Sequence, residues 1–121
     1  MGFCPLSFQR VELDRVGVVE AVVPPGIAHL HLVSACWVPD GDKRRLGVAI
    51  DAMTLDGLAL PLMDPCLGSG FHAIEPSADG AYRWTNGEGV LQFAPSDQPR
   101  VLAVSVTMTV PPRDRLRRAA G

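Results

Sequence analysis

What this chain of 121 residues lacks narrows its function before any motif is considered. It has no excess of positive charge: 11 Lys and Arg stand against 13 Asp and Glu, for a formal net charge of -2. Neither nucleic acid nor an anionic membrane face is therefore an expected partner. No apolar run approaches the ~18 residues a membrane span needs, and no charged, then apolar, leader opens the chain. Three cysteines, Cys4, Cys36 and Cys66, form no CxxC pair and leave one thiol over in any pairing. A reducing, cytoplasmic setting is the expectation.

The catalytic signatures are also missing. Ser69 lies in Gly68-Ser69-Gly70, which lacks the strand-to-helix setting of a nucleophile elbow. Cys66 has no neighbouring Lys or His to lower its pKa. The carboxylates are scattered through turns, where Asp serves local hydrogen bonding, and no Gly-rich loop precedes a helix to cradle phosphate. Neither catalytic machinery nor a cofactor is expected.

Turn residues are plentiful: 12 Gly and 11 Pro punctuate a chain that is 47% hydrophobic. That is too many breaks for a helical bundle and too much apolar content for disorder. Strands are expected at Ser7 to Leu13, Arg15 to Val23, Ile27 to Val38 and Arg44 to Gly57, with a short partner at Leu58 to Leu62 after the Asp56-Gly57 turn. Ala81 to Thr85 and Val90 to Phe93 read as a hairpin across Asn86-Gly87. Arg100 to Val110 is the longest strand signal, with Val104, Val106, Met108 and Val110 on one face and Ser105, Thr107 and Thr109 on the other. Only Asp114 to Ala120 suggests a short helix, within a basic tail at about 113–121. The expected fold is all-β: one antiparallel β-sandwich of jelly-roll type.

Two constellations could carry chemistry. His29 and His31 share a strand face, opposite Leu30 and Leu32, and His72 with Glu75 could join them from a loop around zinc or iron. The bland alternative is a pair of wet-face histidines. The second constellation is aromatic. Tyr82 and Trp84 share one face and Arg83 and Thr85 the other, so the rings either pack inward or form a platform for sugar C–H groups, with Trp37 at a rim.

Two segments together resemble a known kind of module. Arg44-Arg45-Leu46-Gly47-Val48-Ala49-Ile50, followed by Leu55-Asp56-Gly57, is similar to a strand of small β-sandwich modules that accompany bacterial glycosyltransferases and other polysaccharide-assembly proteins. Gly70-Phe71-His72-Ala73-Ile74-Glu75 with Tyr82-Arg83-Trp84-Thr85-Asn86-Gly87 resembles the signature of the same modules, which also occur beside Hint domains. The likeness runs from Arg44 to Leu91.

It implies a jelly-roll sandwich with a role near glycans, in which the Gly-Phe-His turn and the Arg-Trp strand belong together. The ligand-binding residues it suggests are His72, Glu75, Tyr82, Arg83 and Trp84, with Trp84 or Tyr82 as stacking platform. A glycan or a polysaccharide-assembly protein is then the partner. Under the structural alternative Glu75 pairs with Arg83 across the turn and Trp84 fills the core. Two other functions stay open: a metal-dependent β-barrel enzyme using His29, His31 and His72, and a subunit that assembles as a homo-oligomer through a sheet edge along Arg100 to Val110.

Overall fold

A computed structural model describes residues 8–111. Cys4, the suggested helix at Asp114 to Ala120 and the basic tail lie outside them. Among the described residues nine strands follow in order: β1 (Phe8–Glu12), β2 (Gly17–Val23), β3 (His29–Val33), β4 (Ala49–Leu55), β5 (Leu58–Ala59), β6 (Phe71–Ser77), β7 (Gly80–Thr85), β8 (Glu88–Gln92) and β9 (Arg100–Met108). Among the described residues there is no helix, and so none long and apolar enough to cross a membrane.

The strands form two sheets, one of three strands in the order β1-β3-β8 and one in the order β2-β9-β4-β7-β6, with β5 also on β4. Leu30, Leu32 and Leu91 from the smaller sheet meet Ile50, Met53, Leu102, Val104 and Val106 from the larger one in a single core. Each fully buried Leu, Ile or Val there contributes about 1.5–3 kcal/mol of transfer free energy. The architecture is the expected all-β sandwich. One pair departs from the antiparallel rule: β1 runs parallel to β3, because the chain leaves β1 for β2 in the other sheet before it returns.

The Asp56-Gly57 turn is as its sequence predicts. Both residues have positive φ, 53° and 80°, and Leu55 pairs with Leu58 across them. The Asn86-Gly87 expectation is corrected: β7 belongs to the larger sheet and β8 to the smaller, so the dipeptide carries the chain between sheets. Its hydrogen bonds explain why. The Asn86 N–H donates to the Gly70 carbonyl, and the Gly87 carbonyl accepts from Ser34 N–H, each at 2.9 Å, so the turn is tied to other segments instead of closing a ladder.

The long strand is also corrected in two respects. β9 lies inside the larger sheet, paired with β2 on one side and β4 on the other, so it offers no edge for assembly. And Met108 does not share a face with Val104 and Val106. The β4–β9 ladder shifts by one residue between Ala49 and Ile50 and shifts back between Ile50 and Ala52, which leaves Thr107 and Asp51 as extra residues. Beyond the shift Met108 turns to the outer face and packs beside Ala49 and Trp84.

Candidate functional site

The outer face of the larger sheet carries a second, smaller apolar cluster, formed by Leu46, Ala49 and Trp84 with Trp37, Tyr82 and Met108 packed against it. Trp37 and Leu46 exchange backbone hydrogen bonds at 2.8 and 2.7 Å, and together they bring the intervening loop over β7. Trp84 is thereby only 7% exposed. Its ring meets Trp37 edge-on and Tyr82 at 84°. A stacking platform needs an open ring face, so of the two candidates Tyr82, which is half-buried, is the ring left to serve.

The remaining residues singled out in the sequence hold the two resembling segments to each other. Glu75 does not pair with Arg83. Its carboxylate accepts from Arg44 Nη1 at 2.9 Å and from the Tyr82 hydroxyl at 3.3 Å, while Arg44 also grips Asp42. The Arg44 guanidinium next to it holds Asp42 down at about 2, and the Tyr82 phenol is pushed up, first by partial burial and then by Glu75. Arg83, on the opposite face from Trp84, lies over the Phe71 ring and donates to the Leu62 carbonyl at 2.7 Å and to the His72 carbonyl. The His72 ring bonds the Arg45 carbonyl through Nε2 at 2.7 Å.

The Gly70 to Glu75 segment is a strand with a bulge instead of a turn. Between Phe71 and Ile74 the β6–β7 register slips by one, and His72 lies in that irregularity, from which its ring reaches back to the 44–47 segment, which is not part of a strand since β4 begins only at Ala49. Gly47 belongs to the same contact. A side chain there would place its Cβ 2.5 Å from the Gly87 nitrogen and 2.6 Å from Thr85 Oγ1, the hydroxyl that accepts from Val48 N–H. Glycine is required by close approach.

The metal constellation does not form. His29 and His31 lie on the outer face of the smaller sheet, where His31 Nδ1 meets Glu88 at 2.7 Å, while His72 belongs to the larger sheet. Among the described residues no group of three or more His, Cys, Asp or Glu side chains is placed to hold a metal ion. Cys66 is not set up as a nucleophile: burial, and then the Asp64 carboxylate, push its thiol up to about 11.

A site that the sequence reading missed lies next to Tyr82. A shallow cavity of about 580 Å³ opens on the outer face of the larger sheet. Asp51 and Thr107, the residues set loose by the paired register shifts, line it together with Asp79 and Ser77 from the β6–β7 hairpin. Tyr82 and Ile74 supply apolar wall. Asp51 and Asp79 make no side-chain hydrogen bond or ion pair among the described residues. The only advance signal was the apolar run Ala49-Ile50-Asp51-Ala52-Met53, in which one carboxylate interrupts an otherwise buried strand.

No family model, no characterised protein and no solved structure matches the chain.

Proposed function

We propose that this is a non-catalytic, carbohydrate-associated binding module, and that its ligand occupies the cavity beside Tyr82. The supporting observation is the combination lining that cavity: Asp51 and Asp79, unpartnered among the described residues, the hydroxyls of Ser77 and Thr107, and the apolar surface of Tyr82 and Ile74. Sugars ask for this mixture. Carboxylates accept from adjacent ring hydroxyls, while an aromatic or aliphatic wall covers the C–H face. His72, Glu75 and Arg83 support the site from behind through Arg44, Arg45 and Leu62.

The test is a glycan array followed by calorimetry on the best hits, using wild type, Asp51→Ala and Asp79→Ala. The expected result is saturable binding by wild type, weakened at least about tenfold in each variant, or roughly 1.4 kcal/mol, with unchanged melting. An array without hits, or variants that bind like wild type, would sink the proposal.

A further inference from the structure

Leaving aside the two-residue β5, the two sheets end in four edges among the described residues, and three of them are managed. β6 is interrupted by its bulge and carries Pro76, which has no N–H to offer. β8 is flanked by residues 66–70: the Cys66 carbonyl accepts from Gln92 N–H, and Val90 bonds with Gly68 and Ser69. β1 bears the charged, exposed side chains of Arg10 and Glu12. The fourth edge, β2, is Gly-Val-Val-Glu-Ala-Val-Val. Its outward valines Val18 and Val22 are 60% and 59% exposed.

Two contacts fix the direction in which the β2 peptide groups point. Val22 lies opposite Val101, but Val101 uses its N–H on the Asp56 carboxylate and its carbonyl on the Asp56 N–H, both at 2.8 Å and both away from β2. The Val22 carbonyl likewise turns outward, where Gln9 Nε2 donates to it at 3.3 Å. By the period of two, the N–H and C=O of Val18 and Glu20 also face out from the edge.

We propose that β2 pairs with β2 of a second copy, antiparallel, about a two-fold axis at Val19. Axes at Val18 and Val22 pair a single outward residue of the strand with its own copy and give only two hydrogen bonds, whereas three axes, at Val19, Glu20 and Ala21, engage more. An axis at Glu20 sets the two Glu20 carboxylates directly opposite, which is unfavourable. An axis at Ala21 asks for the Val22 carbonyl, which Gln9 already occupies. An axis at Val19 places Val18 against the partner's Glu20 and Glu20 against the partner's Val18. Each of those residues offers one donor and one acceptor, so four peptide hydrogen bonds form. The same axis brings the two exposed Val18 side chains into diagonal contact. The edge is self-complementary in that register, which is the requirement of an isologous interface.

Sedimentation velocity across a concentration series tests this with the whole chain and two variants. Val18→Pro removes an N–H that has no partner among the described residues. Val18→Glu keeps that N–H but sets a carboxylate directly opposite the partner's Glu20. Wild type is expected to move from 12.9 kDa toward twice that mass as concentration rises. Both variants are expected to stay monomeric with wild-type circular dichroism, association being weakened at least tenfold. If Val18→Pro fails to fold, Val18→Glu decides the outcome. A wild type still monomeric at ~1 mM, whether its edge takes another protein's strand or none, overturns the proposal, as do folded variants that dimerise like wild type.

Discussion

The indole of Trp37 meets that of Trp84 edge to face, with centroids 5.6 Å apart and planes at 70°. This contact closes the 36–46 loop over the outer face of the larger sheet and makes the Arg-Trp segment part of a small core. Trp84→Ala removes the centre of that core. The expected loss is about 3–5 kcal/mol, the usual range for truncating a buried Trp, read as a shift in the denaturation midpoint. In wild type the Trp84 share of the emission should be blue-shifted and shielded from iodide. Easy quenching of both tryptophans would contradict the packing.

Gly70 has φ of +88°, and a Cβ added there would run into the carbonyl oxygen of Glu88 on the neighbouring segment. Backbone cannot step aside as a side chain can. Gly70→Ala is therefore expected to cost clearly more than Gly26→Ala, where φ is +84° but nothing lies within 4 Å. The second substitution carries only the left-handed strain of about 1–2 kcal/mol. Equal melting temperatures for the two would refute this ranking.

Acid should destabilise the protein in a defined window. Asp42 is lowered from 3.8 to about 2, chiefly by its hydrogen bonds with Arg44, and Asp56 is lowered by the Val101 N–H and then by Arg100. A carboxylate whose folded pKa is depressed contributes stability above its unfolded value and loses it as pH falls through the folded one. The melting temperature should accordingly fall between about pH 4 and pH 2. Asp42→Asn should melt lower at pH 6 and fall less steeply across that window. A variant that keeps the wild-type slope would remove Asp42 from the account.

Cys66 should react slowly with thiol reagents. Its thiol is held up at about 11 by burial and by Asp64, so the thiolate is scarce at neutral pH. In a Cys66→Ser comparison, the alkylation attributable to Cys66 should stay small at pH 8 and rise only as pH approaches that value. Rapid modification at pH 7 would contradict the environment described.

Much of the sandwich was legible because strand periodicity is local. Leu30 and Leu32 alternate with His29 and His31 in the sequence as they do across the smaller sheet, and Asp56-Gly57 specifies its own turn. What the sequence concealed depends on partners far along the chain. Asn86-Gly87 says that the chain bends, but Ser34 and Gly70 decide which sheet it enters. Glu75 and Arg83 look like mates, yet Arg44 lies closer to Glu75, and main-chain carbonyls compete for Arg83. Met108 keeps the spacing of Val104 and Val106 and still changes face, because a register shift is a property of two strands and is written in neither.

Those two shifts have a consequence for how the chain tolerates insertion and deletion. Ala49 faces Met108 and Ala52 faces Ser105, so the pairing sums agree on either side and the irregularities cancel. Loss of Thr107 alone, or of Asp51 alone, would leave a single bulge, with the flanking pairs and their faces unchanged. Loss of both together would leave a plain ladder with the flanking pairs unchanged. The cavity is thus a removable addition to a scaffold that is complete without it.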